Sequence, residues 1–109
     1  MSRYWSLKKR EDFKHVYAKG SPSYNRDFKI IGLANSLDNN RYGFSISKKF
    51  GKAFERNRMK RQLREIVRLN DERFPRGYDF VIIPKQSIKD EKYEKIEKSL
   101  FHCLGFWKA

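Results

Sequence analysis

Apolar positions recur along this chain with two periods, and the changes of period mark its elements. From Ser6 to Lys19, SLKKREDFKHVYAK, Phe13, Val16 and Tyr17 share a face at i, i+3 and i+4, which predicts a helix closed by Gly20 and the Ser-Pro after it. Val16 is assigned to the core, while Phe13 and Tyr17, two aromatics one turn apart, are candidates for a stacking surface at its edge. Ser21 to Arg26 is turn-like: Pro22 cannot donate to a ladder, and Tyr24-Asn25-Arg26 is expected to form a short edge strand. Asp27 to Ala34 and Arg41 to Ser47 are strand-like and joined by the turn residues LDNNR, so an antiparallel hairpin is expected. In the second of these runs Tyr42, Phe44 and Ile46 point to one face and Gly43, Ser45 and Ser47 to the other. That second face is small and polar, which suits the floor of a groove under the basic helix.

The period then changes to that of a helix. Met59, Leu63, Ile66 and Val67 stand at i, i+4, i+7 and i+8 within Lys48 to Arg68, a pattern that ends near Asn70 to Arg73 before Phe74-Pro75-Arg76-Gly77. Tyr78 to Pro84, YDFVIIP, is a continuous apolar run, the pattern of a strand buried on both faces and hence internal or parallel. Strand, helix, strand makes a crossover unit, for which the general preference is a right-handed connection. Asp90 to Leu104 closes the chain with a second amphipathic helix, Tyr93, Ile96, Leu100, Phe101 and Leu104 on one side and Gly105 as its stop. The 109 residues are enough for one modest core, so residues 1–109 are expected to form a single α+β domain, one mixed sheet of three or four strands with helices packed on it.

Charge changes the meaning of the middle helix. KKFGKAFERNRMKRQLREIVR holds nine Lys or Arg against Glu55 and Glu65, a local +7 of the chain's +13. Arg56, Lys60 and Arg64 form one row and Arg61, Arg64 and Arg68 another, at helical spacing. Like charges so placed repel by a few tenths of a kcal/mol per pair, on the order of the i,i+4 effect, and a polyanion would offset that. A pI near 10.0 with this clustering is the footprint of a nucleic-acid binder, whereas charge kept only for solubility would be scattered. The 16% aromatic content argues for a folded chain with aromatics left over for the surface, where they hold unpaired bases.

Other chemistry finds little support. His15 and His102 have no partners at metal-ligand spacing, there is no Gly-rich phosphate loop, and neither Ser45 nor Ser47 lies in a nucleophile motif. Acidic residues come as sequence neighbours that point to different helix faces, which gives a paired-carboxylate centre no basis. No catalytic residue and no protein metal site is assigned. Cys103, the one cysteine, sits in the apolar pattern of the last helix and is read as a core thiol of a reducing compartment. No stretch approaches the ~18 apolar residues of a membrane span, and MSRYWSLKKR lacks the apolar run of a signal peptide, so a soluble, cytoplasmic protein is expected. On these residues alone a processing subunit, a ribosomal or general RNA binder, and a DNA regulator with its basic helix in the major groove all stay open. No helix packed just before Arg56 supports the last of these.

From Ser45 to Arg68, SISKKFGKAFERNRMKRQLREIVR resembles the signature of the bacterial ribonuclease P protein subunit: Arg56-Asn57-Arg58, then Lys60-Arg61 and a spaced Arg64. The resemblance extends to Leu7-Lys8-Lys9, Asp12-Phe13, Asn25-Arg26 and the strand Asp79 to Pro84. It implies the order α-β-β-β-α-β-α with a left-handed crossover through the basic helix, against the general preference. It implies the protein partner of a catalytic RNA in an endonuclease that removes the 5′ leader of precursor tRNA, with Mg2+ held mainly by the RNA; a protein oligomer is not implied. Carried onto this chain, Arg56, Asn57, Arg58, Lys60, Arg61, Arg64 and Arg68 become the catalytic-RNA-binding set. Phe13 and Tyr17 become the aromatics of a leader-binding cleft, with Ser47, Lys48 and Lys49 at its rim. Where the family often carries an aromatic on the second strand, this chain has Ile30-Ile31-Gly32, a smaller stacking surface.

Overall fold

Strand β4 (Tyr78–Pro84) is apolar on both faces, and the sheet is built around it. The computed structural model describes residues 6–109. Their order is α1 (Arg10–Lys19), β1 (Ser21–Tyr24), β2 (Phe28–Ala34), β3 (Arg41–Phe44), α2 (Ala53–Leu69), β4 and α3 (Tyr93–Leu104). The four strands lie in the order β1-β2-β4-β3. β4 runs antiparallel to β2 from Phe28 opposite Pro84 to Ala34 opposite Tyr78, and parallel to β3 from Arg41 opposite Asp79 to Phe44 opposite Ile82. The sheet is therefore mixed, and α2 is the crossover between the adjacent parallel strands β3 and β4.

The expected β2–β3 hairpin does not form, because β4 lies between the two. A strand apolar on both faces loses most by sitting at an edge, and its central place gives it a neighbour on either side. The connection through residues 35–40 has only to span two inter-strand spacings, about 10 Å, well within the roughly 20 Å reach of six extended residues. Several boundaries also move: β3 ends at Phe44 and not Ser47, and α3 starts at Tyr93 and not Asp90. Strand β1 is Ser21–Tyr24, earlier than expected, with Pro22 opposite Ile31 in an edge strand where a missing donor is tolerated. Helix α1 starts at Arg10, not Ser6, because Ser6 bridges Tyr42 and the Leu7 amide donates to the Tyr42 carbonyl at 2.8 Å, which places Leu7 in the core.

Alternate residues of each strand feed two cores. On one face Phe28, Ile30, Tyr42, Phe80 and Ile82 pack with Met59, Leu63, Ile66 and Val67 of α2 and Ile96, Leu100 and Cys103 of α3. On the other, Ile31 and Val81 pack with Leu7 and Val16, and Phe13, Leu33 and Ile83 border them. The result is three layers, α2 and α3 on one side of the sheet and α1 on the other. Where polar groups enter the core they are paired. The Tyr42 hydroxyl donates to Asp71 at 2.5 Å, Asp71 also takes Arg76 at 2.9 Å, and Asn40 accepts from the Tyr78 amide at 2.8 Å. Burial, then that Asp71 bond, pushes the Tyr42 phenol well above its ordinary range.

Leu63 is fully buried at the middle of the α2 contact. Leu63→Ala is expected to destabilise the fold by about 2–5 kcal/mol, read as a lower midpoint in urea denaturation.

Candidate RNA interface

Helix α2 owes its position to four side chains on one face, Met59, Leu63, Ile66 and Val67, all buried against the sheet and α3. Its start is fixed as well. The Lys52 amide donates to Glu55 Oε1 at 2.8 Å, and Lys89 Nζ lies 3.5 Å from Oε2. The Lys52 amide, with the nearby lysine charge, holds the Glu55 carboxyl below its ordinary value. The basic side chains are thus carried by a helix tied at its first turn and along its length.

These cations do not behave as one set. Arg56 is half-buried and its Nη1 donates to the Gly51 carbonyl at 2.7 Å, bracing the turn that enters the helix. Arg58 lies 3.7 Å from Asp90 with both side chains exposed, and Arg68 lies 2.7 Å from Glu65 one turn back. Such exposed pairs are weak and screened by salt, so a phosphate competes with them easily. Asn57, Lys60, Arg61 and Arg64 are exposed, and the three cations among them have no ion-pair partner among the described residues. By helical position Asn57, Arg58, Arg61 and Arg68 face away from the sheet, while Lys60 and Arg64 lie to one side.

That side opens on a trough. Because β3 is an edge strand, residues of both layers meet around it: Phe13, Leu7 and Lys8 from the α1 layer, Gly43 from β3, and Lys60 and Arg64 from α2 line one recess. A second recess continues along α1 between Arg10, Phe13, Tyr17 and Ser45. Glycine makes the first possible, since a Cβ on Gly43 would come within 2.5 Å of Phe13 Cζ and 2.7 Å of Cε1. Phe13 is half-buried over that glycine, and Tyr17 is 44% exposed. Arg41 holds α1 against this edge, with Nε and Nη2 on Asp79 at 2.8 and 2.6 Å and Nη1 3.9 Å from Asp12 of α1. The Asp79 hydrogen bonds raise the Arg41 pKa further.

Phe13 and Tyr17 therefore come together as the sequence predicts, but the face of Gly43 and Ser45 lies under α1 and not under the basic helix, which packs on the opposite face of the sheet. Ser47, Lys48 and Lys49 are exposed on the segment between β3 and α2 but line neither recess. Ile31 is buried beneath α1 and Ile30 lies in the opposite core, so β2 adds no aromatic to this trough, while Phe44 of β3 lines both recesses beside Phe13. Sequence reasoning did not place Lys60 and Arg64 beside Phe13. Their i, i+4 spacing marks them as a row, but only the sheet order shows that the row faces an open strand edge. Asn25, a residue of the resemblance, turns out to be a structural tie: its Oδ1 accepts from the Phe28 amide at 2.7 Å and its Nδ2 donates to the Ser99 carbonyl at 2.9 Å.

A rigid basic helix beside an aromatic-walled, cation-rimmed trough defines an RNA-binding protein, built to meet phosphates on one surface and unpaired bases on another. The model of the ribonuclease P family matches residues 1–107. The ribonuclease P protein component of Finegoldia magna is 47% identical over 96 residues, covering 88% of this chain and 84% of the relative. That of Desulforamulus reducens is 41% identical over 105 residues, covering 96% and 93%. The solved structure of the Thermotoga maritima ribonuclease P protein superposes with a TM-score of 0.88 at 31% identity, covering 98% of this chain and all of that one. The chain belongs to the ribonuclease P protein family. It is the protein component of the ribonucleoprotein endoribonuclease of tRNA 5′ processing.

Gly43→Ala is expected to force the Phe13 ring off the sheet and to destabilise the fold by about 1–3 kcal/mol, as overpacking does. Urea denaturation checks it, and a stability equal to that of the parent chain would show that the ring has free room to move.

Proposed function

We propose that the outward face of α2, carrying Asn57, Arg58, Arg61 and Arg68, docks on the catalytic RNA subunit, while the trough between α1 and β3 takes the 5′ leader of precursor tRNA. Phe13 and Tyr17 lie against leader bases, and Lys60 and Arg64 meet its phosphates. Arg56 supports the set by bracing Gly51, and Ser47, Lys48 and Lys49 extend the positive surface beyond the trough. The observation that carries this reading is the single recess in which Phe13, Lys60 and Arg64 meet. Stacking is sequence-tolerant and contributes about 1–3 kcal/mol per base, which suits a leader that varies from one precursor to the next. Mg2+ is expected to be held mainly by the RNA subunit, whose phosphate oxygens are its usual ligands. Among the described residues no helix is long and apolar enough to cross a membrane.

Reconstitution with a bacterial catalytic RNA at low Mg2+ tests the assignment. The protein is expected to raise precursor cleavage, and Phe13→Ala to weaken binding of precursor more than of mature tRNA. Phe13→Leu keeps the apolar contact over Gly43 and so separates stacking from packing. Equal losses for the two RNAs would move Phe13 into the core role alone. In a salt titration of binding to the catalytic RNA, Arg58→Ala and Arg61→Ala are each expected to lower the slope of log K against log salt by about one unit. An unchanged slope for both would reassign those arginines.

A further inference from the structure

Phe54 is the most exposed large apolar side chain among the described residues, at 62%. It occupies the first turn of α2, nine positions before Leu63, and at about 100° per residue that is half a turn round the helix. Leu63 is at the centre of the buried face, so Phe54 points directly away from the core and no shift of the helix buries both. Arg61 and Arg68 follow it at seven-residue steps, Asn57 and Arg58 stand beside it at i+3 and i+4, and exposed Lys49 and Lys52 precede it. The turn that carries it is held by the bonds from the Lys52 amide to Glu55 and from Arg56 to the Gly51 carbonyl, so the ring is presented from a fixed backbone.

The neighbours decide what can cover this ring. An apolar protein surface would have to desolvate the cations around it without compensation, whereas a polyanion pairs with them. The part of a polyanion that a phenyl ring can cover is the flat face of a nucleobase. A continuous duplex offers no such face, because each base is stacked between its neighbours and shows only edges in the grooves. We propose that Phe54 stacks on an unpaired base of the catalytic RNA, so that the RNA segment docked at the start of α2 is a loop, bulge or strand end and not an uninterrupted helix. This rests on the docking of α2's outer face put forward above.

The test measures assembly of the full chain with the catalytic RNA as a function of salt. Phe54→Ala is expected to weaken assembly about 5- to 150-fold, the range that one stacked base supplies, with the salt slope and the melting temperature unchanged. Phe54→Tyr and Phe54→Trp are expected to stay within about 3-fold of the parent by keeping a stacking ring, and Phe54→Leu to lose affinity as alanine does. Chemical probing should show one unpaired base protected by the parent protein and freed by Phe54→Ala. Parent-like affinity for Phe54→Ala beside a loss for Arg61→Ala overturns the stacking and leaves the docking of α2 intact. Parent-like affinity for Phe54→Leu replaces stacking with an apolar wedge and overturns it too. A Phe54-dependent dimer of the RNA-free protein in sedimentation would assign the ring to a second copy of the chain. Parent-like affinity for Arg61→Ala as well would remove the docking itself.

Discussion

The constraint on which the structure turns is that a helix carrying many like charges has to be held by its uncharged face. Left to itself α2 is a poor helix: arginines and lysines recur at i, i+3 and i+4, and each such pair is mildly repulsive. Burial of Met59, Leu63, Ile66 and Val67 against the sheet and α3 outweighs this, since a fully buried side chain of that size contributes about 1.5–3 kcal/mol. The repulsion is not removed by internal neutralisation. Lys60, Arg61 and Arg64 keep no ion-pair partner among the described residues, and the pairs at Arg58 and Arg68 are exposed and exchangeable. The fold therefore keeps the charge available to a partner while the core fixes its geometry.

The trough follows from the sheet order. With β4 at the centre and β3 at the edge, the layer of α1 and the layer of α2 approach each other around an open strand, and Gly43 lets the Phe13 ring settle there. A β2–β3 hairpin would have left β4 at one edge and buried β3 between neighbours, with no place for Lys60 and Arg64 to approach Phe13. The apolar run of β4, a feature of the core, in this way determines where a binding groove can exist. Arg41 links the two requirements, since its bidentate pair with Asp79 on β4 also brings it near Asp12 at the start of α1.

Much of this was legible in the sequence wherever one face of an element is apolar and the other is not. The buried face of α2, the full extent of β4, the apolar side of α3 and the Cys103 core thiol all followed from spacing, because burial of a periodic stripe is a local property of the chain. Partner choice among strands is not local. The turn residues between β2 and β3 suggest a hairpin equally well whether or not a later strand is inserted, and only the stronger demand of β4 for two covered faces decides it. The start of α1 failed for a related reason: Leu7 fits a helical pattern, but its amide finds the Tyr42 carbonyl, and that contact cannot be seen without the fold. The charged set was legible as a set and not in its division. Arg56 has the same residue type and spacing as its neighbours, yet it turns back to the Gly51 carbonyl, because the chain enters the helix through a glycine turn whose carbonyl needs a donor.

The division of α2 into sides has a consequence for how two RNAs are held by one small protein. Lys60 and Arg64 reach the trough while Asn57, Arg58, Arg61 and Arg68 face outward, and both groups are fixed to one rigid helix. If the outer face docks on the RNA subunit and the trough takes the leader, their separation is set by the helix radius and side-chain reach and not by any flexible linker. Such a helix acts as a spacer: docking its outer face also places the trough at a defined position and orientation beside the RNA. The position of a single-stranded segment can then be specified without reading its sequence, because geometry replaces base recognition. The same reasoning explains why Met59, Leu63, Ile66 and Val67 anchor the helix to the sheet over several turns, since any rocking of α2 would move both contact surfaces together and blur the register between them.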